Sequence, residues 1–356
     1  MDTKSQREVR QIDGAWSITQ IMTSLAKALV SDGPALGFGA ISSSSVDSKT
    51  AIVVATTGST GANKEISLSA SALLASAKAA NKYLAASFGE TWSLLLPLTH
   101  IAGVNVLVRS LELGTIPVNL IGYKGEYPKV TYTAIVPTQL YNALNGDERL
   151  LKHLQSVKSV LVGGAALTTE LAEQALKAGI NIVTTYGSSE TSGGCVYNGA
   201  PIEGVEVEIN QLGFIKIRGS VLASNLNLDS DGWYQTNDLG KFVDGKLKVT
   251  GRGDDVIISG GENISLAEIE AVISTIFPQL QFAAFAITSE KWGQELQIAA
   301  VNAPTEFAAE VSESLVKKFG NAAKPKHFHQ LAALPLIGIG KVDRNALAQL
   351  ATKSES

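Results

Sequence analysis

One cysteine, Cys195, is present in 356 residues. A lone thiol excludes an intramolecular disulfide and a cysteine-cluster metal site, and it fits a reducing compartment. Positive charge is not in excess either: 29 Lys and Arg stand against 33 Asp and Glu, for a formal net charge of -4. No basic run interleaved with aromatics occurs, so nucleic acid is not an expected partner. Long apolar runs are also missing. AIVVAT, WSLLLPL and VKSVLVGG fall well short of the roughly 20 residues that span a bilayer, so membrane insertion is not expected. The opening MDTKSQREVRQID is polar and charged, unlike a secretory leader. The expectation is a soluble, cytoplasmic protein.

What is present is ordinary globular material, 45% hydrophobic and 17% charged, long enough for one large domain and a smaller one. Helical spacing of apolar residues predicts a helix over 16–30, and the run 51–55 predicts a buried strand that stops in the polar stretch TTGSTGANKE. A helix over 69–86 and a short strand over 92–96 follow. The alternation continues with strand 132–136, helix 137–144 opening on Pro137, strand 157–162, a helix capped by Thr168 or Thr169, and strand 180–184. Strands alternating with amphipathic helices predict an α/β domain with a largely parallel sheet. Polar residues gathered at strand ends are where such sheets bind ligands.

From Val205 onward the texture changes to hairpin-like strands with an Asp244-Gly245 turn, an antiparallel subdomain over about 205–250. Past GRGDD, Ser265 and Glu268 form a capping box for a helix through Ile276. Strands 281–287 and 295–301 and helices 305–319 and 343–350 complete a small α+β domain. The predicted division is therefore 1–254 and 255–356, with 251–255 as the junction.

The segment TTGSTGANK, residues 56–64, holds two glycines and several hydroxyls behind a strand, with Lys64 close after. Backbone N–H groups in such a turn can converge on phosphate oxygens, and hydroxyls and lysine add donors. It lacks the GxxxxGK[ST] spacing, so it is not a P-loop of that kind. Taken alone, an ordinary polar turn is an equal reading. It is followed in order by PLTH (97–100), GGAAL (163–167), YGSSET (186–191), YQTND (234–238), GRGDD (251–255), SGGENI (259–264), EIE (268–270) and GK (340–341).

This ordered set resembles the adenylate-forming superfamily of acyl-CoA synthetases, peptide-synthetase adenylation domains and luciferases, over nearly everything from 51 to 345. The resemblance implies a large N-terminal α/β domain with an antiparallel subdomain and a mobile C-terminal α+β lid. It implies ATP, Mg²⁺ and coenzyme A as reactants or cofactors, and a small-molecule aryl carboxylate as the acid, with a homodimer left open. By the resemblance, Thr56, Thr57, Gly58, Ser59, Thr60, Gly61 and Lys64 handle the β- and γ-phosphates. Gly163, Gly164 and Ala165 pack on adenine, with Tyr186 and Gly187 beside it. Glu190 holds Mg²⁺, Asp238 binds the ribose hydroxyls assisted by Arg252, and Thr191 sits by the carboxylate and α-phosphate. His100, Ser188, Ser192 and Gly194 border the acyl pocket. Lys341, in PLIGIGKVDR, contacts the carboxylate and α-phosphate during adenylation, and Asp254 is the hinge about which the lid turns. Asn63 stands where the family usually has proline, Asn237 where it has glycine, and GFIKIRG lacks the usual glutamate. None of these departures removes a group assigned to chemistry.

The chemistry asks for these residue types. A carboxylate is a poor electrophile, and activating it as a phosphate ester crowds negative charge where a lysine and a divalent cation are needed. Within the superfamily, IISGGENISLAEIE, PLTHIAG, YGSSETSGGCVYNG and the short body ahead of Thr56 are similar to the o-succinylbenzoate–CoA ligases of menaquinone synthesis. That acid has a second carboxylate, for which Arg109, Ser188 and Ser192 are candidate donors. A ligase for another aryl, short-chain or fatty acid, loading of a carrier-protein thiol, and a non-catalytic nucleotide-binding protein stay open. Cys195 is expected to be a small hydrophobe, not a nucleophile.

Overall fold

The strand Ser159–Val162 is buried at every position, as a strand covered on both faces must be. It lies at the centre of a seven-stranded sheet whose order is Ala200–Pro201, Gly193–Tyr197, Ile182–Ser188, Ser159–Val162, Tyr132–Ile135, Trp92–Leu94, Val118–Asn119. The five strands from Ile182–Ser188 to Val118–Asn119 are parallel, and the other two turn back antiparallel. Its crossover helices start where local chemistry dictates. Pro137 opens Pro137–Leu144, the Asp147 carboxylate accepts from Leu150 N at the head of Glu148–Ser156, and Thr168 caps Thr169–Lys177. Ile135, Leu140, Leu154, Val160, Val162 and Ala175 form the core between these helices and the sheet. Full burial of a side chain of this size contributes about 1.5–3 kcal/mol.

The computed structural model describes residues 6–57, 63–289, 292–337 and 341–354. Two compact units divide the chain. The first comprises Met1–Glu208, Lys216–Gln235 and Asp244–Leu247; the second comprises Ile209–Ile215, Thr236–Val243 and Lys248–Ser356. No helix among the described residues is long and apolar enough to cross a membrane.

The first unit also holds a five-stranded sheet ordered Ser45–Asp47, Gln6–Gln11, Ala35–Phe38, Thr50–Thr57, Asn63–Ser69. Its helix Ile18–Leu29 begins in a capping box, with Gln20 N donating to Ser17 Oγ at 3.3 Å and Ser17 N to Gln20 Oε1 at 2.9 Å. Arg7, buried and with no carboxylate partner among the described residues, donates to the carbonyls of Ala28, Gly33 and Thr50 at 2.8–2.9 Å. It thereby gives a second donor to a carbonyl in the helix's last turn, which also accepts from Ser31 N at 3.3 Å, and ties the first strand in place. Two features differ from the sequence reading. The stretch TTGSTGANKE is not all loop: Thr56 and Thr57 end one strand and Asn63 and Lys64 begin the next, paired Thr56 with Lys64 and Thr57 with Asn63. The helix Ile101–Glu112 was absent from that reading, since it is buried from Gly103 through Ser110 and shows no apolar stripe.

The same unit buries His153 between Ser93 and Tyr127. The Ser93 hydroxyl donates to Thr133 Oγ1 at 2.7 Å, so the His153 Nε2–H donates to Ser93 Oγ at 2.9 Å. Burial pushes the imidazole down to about 4. The unfolded chain takes up the proton near pH 6.5, so the stabilisation is complete above that pH and is lost as pH falls toward 4. Between about pH 7.5 and 4.5 this one group should cost about 2–3 kcal/mol of stability. In His153→Gln the drop in denaturant-derived unfolding free energy over that interval should be smaller by that amount, and an unchanged pH slope would refute the assignment.

A four-stranded sheet is ordered Val205–Ile209, Phe214–Gly219, Tyr234–Val243, Lys246–Arg252. Asp244 and Gly245 join its last two strands with φ of 51° and 73°, the conformation that an Asp-Gly hairpin supplies at least cost. In the second unit, strands Glu262–Ser265, Val256–Ser259, Gly293–Val301 and Gln281–Ser289 lie side by side, and His327–Leu331 pairs parallel with Gly293–Val301. Successive residues of Gln281–Ser289 serve opposite cores. Ala284 packs with Ile269, Ile273, Val311 and Leu315, while Ala283 and Phe285 pack with Leu347 and Ala351. That period of two places helices Leu266–Ile276 and Phe307–Phe319 on one face and Arg344–Ser354 on the other. Ser265 caps Leu266–Ile276 by accepting from Glu268 N at 3.3 Å.

Candidate active site

Strand Ile182–Ser188 leaves the sheet into a single 3-10 turn, Ser189–Thr191, and returns as Gly193–Tyr197. Bonds from several directions fix this turn. The Thr191 hydroxyl accepts from Ser188 N at 2.9 Å and donates to Gly193 O at 2.7 Å. Ser192 takes a left-handed φ of 51°, its Oγ donates to Val221 O at 2.7 Å, and its carbonyl accepts from Asn105 Nδ2 at 2.7 Å and Ser76 Oγ at 3.1 Å. Glycine is required at two places by close approach: a Cβ on Gly187 would sit 2.1 Å from Gly193 O, and one on Gly193 would sit 2.0 Å from Asn105 Nδ2. A non-glycine residue held left-handed and fully buried stores strain at a place the surroundings over-determine.

The turn holds Glu190, whose own carbonyl accepts from Ala223 N at 2.9 Å. Its carboxylate is 17% exposed and meets Lys64 Nζ at 3.4 Å, with the lysine side chain 53% exposed. So open an ion pair adds little stability. No cluster of three or more His, Cys, Asp or Glu able to hold a metal occurs among the described residues. A single carboxylate fits Mg²⁺, which keeps several waters and binds through one or two carboxylates plus substrate phosphates.

Strands Ser159–Val162 and Ile182–Ser188 are parallel neighbours, with Val162 opposite Thr184. Their carboxyl ends therefore emerge together, bringing Gly163, Gly164 and Ala165 beside Tyr186 and Gly187. Gly163 backs onto Thr185, whose Oγ1 would lie 2.2 Å from an added Cβ, and Gly164 has a φ of 84°. Tyr186 is half-buried and Ala165 exposed.

His100 is the N-cap residue of Ile101–Glu112, without a side-chain capping bond. Burial lowers its imidazole below the ordinary histidine value, which keeps it neutral near pH 7. Two further positions on that helix, Asn105 and Arg109, lie four residues apart on one face. Arg109 is 4% exposed, stands 5.2 Å over the Trp92 ring and donates to the Tyr197 hydroxyl at 3.1 Å. Its Nε has no partner, and among the described residues no carboxylate pairs with it. Burial pushes the Cys195 thiol up to about 12, so it stays protonated and unreactive.

Within the second unit, Arg252 Nη1 meets Asp238 Oδ1 at 3.2 Å. Asp238 N donates to Thr236 Oγ1 at 3.0 Å, and that hydroxyl donates to Ile215 O at 2.9 Å. Asp254 lies in the 3-10 turn Gly253–Asp255, and Lys341 pairs with Ile337 in a short hairpin. Thr56 Oγ1 donates to the Lys64 carbonyl at 3.2 Å. Gly58, Ser59, Thr60 and Gly61 lie outside the described residues. The structure thus brings Lys64 to Glu190 and Arg252 to Asp238, and gathers Ser188, Thr191, Ser192 and Gly194 in the Ser189–Thr191 turn and the strand residues beside it. Asn105 was missed by sequence reasoning, and no local spacing marks it.

The sequence model of a family described as AMP-binding enzyme matches residues 19–216. A probable 2-succinylbenzoate–CoA ligase of Mycobacterium tuberculosis is 36% identical over 329 residues, covering 85% of each chain. The 2-succinylbenzoate–CoA ligase of Escherichia coli is 30% identical over 317 residues, covering 83% of this chain and 67% of that one. Among solved structures, an arginine-to-lysine variant of E. coli MenE with bound OSB-AMS is 26% identical, with a TM-score of 0.69 over 88% of this chain and 71% of that chain. The Bacillus subtilis o-succinylbenzoate CoA synthetase in complex with the acyl-adenylate intermediate OSB-AMP superposes with a TM-score of 0.73 over 95% of this chain and 82% of that chain. At 23% identity it speaks to the fold alone.

Proposed function

Because the chain belongs to the AMP-binding enzyme family, we propose that it is a ligase joining 2-succinylbenzoate to coenzyme A through an acyl adenylate. The observation that carries the class is the rigid Glu190 turn beside Lys64. The acid is supported by the similarity to 2-succinylbenzoate–CoA ligases along most of both chains.

In the first half-reaction a carboxylate oxygen of the acid attacks the α-phosphorus of ATP, and the bond to the bridging oxygen of pyrophosphate breaks. Negative charge grows on the departing group, where Lys64, Thr56 and Thr57, with the segment from Gly58 to Gly61, supply donors. Mg²⁺ held by Glu190 would neutralise phosphate charge as a Lewis acid. Tyr186 and Gly163 to Ala165 hold the adenine, and Asp238 with Arg252 holds the ribose. Thr191 acts through its turn, where its hydroxyl accepts from Ser188 N and donates to Gly193 O. Ser192 acts likewise through its bond to Val221.

In the second half-reaction the coenzyme A thiolate attacks the acyl carbonyl and AMP leaves with the electron pair of the broken C–O bond. Residues 255–356 form the lid that turns at Asp254, withdrawing Lys341 between the two steps. His100, Ser188 and Gly194 border the acyl group. A neutral His100 can donate a hydrogen bond to the acid without adding a second charge. Arg109 answers the acid's other carboxylate. A buried guanidinium with an unpaired Nε and no protein carboxylate is costly unless an anion or water completes it.

The experiment is incubation with 2-succinylbenzoate, ATP and Mg²⁺ without coenzyme A. The reading requires pyrophosphate release and an acyl adenylate detected by mass. Hydrolysis of ATP with no such adduct would sink it.

A further inference from the structure

We infer that Asn225 is a positioning residue that sets Lys64 against Glu190 and so tunes the site for a triphosphate. The inference rests on the proposed role of those two residues at the β- and γ-phosphates. They come from a strand and a 3-10 turn far apart in sequence, and their ion pair, at 3.4 Å with a half-exposed lysine, is too weak to hold the two arms in register. Another part of the chain does so. The segment from Val221 to Asn225 runs between the Glu190 turn and the strand Asn63–Ser69, bonded to both.

On the turn side, Val221 O accepts from Ser192 Oγ at 2.7 Å and Ala223 N donates to Glu190 O at 2.9 Å. On the strand side, Ser224 N donates to Ser67 O at 2.9 Å. Asn225 then makes two bonds with its side-chain amide: Nδ2 donates to Glu65 O at 2.9 Å, and Oδ1 accepts from Ser67 N at 3.1 Å. Asn63–Ser69 is the edge strand of its sheet, and the carboxamide takes the place a neighbouring strand's peptide would occupy. Lys64 is thereby fixed from two sides. Its pairing with Thr56 sets one, and Asn225 on the adjacent Glu65 carbonyl sets the other. A side chain without both an N–H donor and a carbonyl acceptor cannot make this pair of bonds.

AMP has no β- or γ-phosphate, so it should be indifferent to the register of Lys64 and Glu190. The test is calorimetric titration of MgATP and, separately, AMP into wild type, Asn225→Ala and Asn225→Asp, with thermal unfolding of each. Both variants should bind MgATP about three- to tenfold more weakly, as expected for losing one or two hydrogen bonds. AMP affinity should stay within about twofold, and the unfolding midpoint within about 4 °C. Asn225→Asp is nearly isosteric and keeps the acceptor but adds a negative charge, so the uncharged Asn225→Ala decides: a defect in Asn225→Asp alone would be repulsion of the triphosphate and would count against the inference. MgATP affinity equal to wild type in both variants would overturn the inference. So would a parallel fall for AMP, which would mean a generally disordered pocket. Wild-type protein that binds MgATP but never forms an adenylate would contradict the ligase reading and leave the positioning result standing.

Discussion

Lys341→Ala should slow acyl-adenylate formation by about 10²–10³-fold while leaving thioester formation from supplied adenylate within a few-fold of wild type. The asymmetry follows from where charge develops. In the first half-reaction two anions, a carboxylate and the α-phosphate, are forced together, and a lysine ammonium between them is worth most at the crowded transition state. In the second, the thiolate attacks a neutral acyl carbon and AMP departs, so a lysine that the proposed lid rotation withdraws has no part. Single-turnover measurements separate the steps: adenylate build-up without coenzyme A, then thioester formation from synthetic adenylate. Equal losses in both steps would mean that Lys341 supports the lid as a whole and that the two-face account is wrong.

Arg344→Ala should destabilise the second unit by about 3 kcal/mol, since it strips the partner from two acids at once. Arg344 Nη2 meets Glu270 Oε1 at 2.9 Å and Nη1 meets Asp255 Oδ2 at 3.0 Å, while Nε donates to Ala284 O at 2.8 Å. Burial pushes the Glu270 carboxyl above its usual range even with the arginine beside it. Without Arg344 it would rise further, so part of the loss should be recovered as pH is lowered and Glu270 takes up a proton. The triad joins the junction at Asp255, the helix Leu266–Ile276 and the start of Arg344–Ser354, three residues after Lys341. Denaturant unfolding of Arg344→Ala at about pH 8 and pH 5 is the check. A loss under about 1 kcal/mol at both would show the triad to be solvent-screened.

Much of the fold was legible because local chemistry and tertiary packing agree. Pro137, Thr168 and Ser265 begin helices where the sequence puts them, and Asp244-Gly245 closes a hairpin. The misses have physical causes. Val104, Val106 and Val108 alternate as a strand would, yet they lie in a helix buried all round, where no stripe exists to read. Gln6–Gln11 is polar, and its place in a sheet depends on Arg7 finding three distant carbonyls. Lys64 read as a loop residue because Gly, Asn and Lys are weak strand formers, and pairing with Thr50–Thr57 overrides that preference.

The site shows the same division. The ordered motifs marked the Glu190 turn, the glycines beside Tyr186 and the Asp238–Arg252 pair. They could not show that the Thr191 and Ser192 hydroxyls donate to main-chain carbonyls in building the turn. Nor could they show that Asn105 and Asn225, each bonding to main-chain groups far away in sequence, brace it. Side-chain amides that substitute for a missing backbone partner leave no spacing behind. Arg109 was visible as a candidate, but its burial with an unpaired Nε was not.

The most direct test is coenzyme A-dependent AMP release across a panel of acids, with products weighed by mass. The panel holds 2-succinylbenzoate, benzoate and short- and medium-chain fatty acids. The account predicts a sharp preference for 2-succinylbenzoate and the mass of its coenzyme A thioester. Turnover of a monocarboxylate with equal or greater kcat/KM, or no turnover by protein that binds ATP, would contradict it.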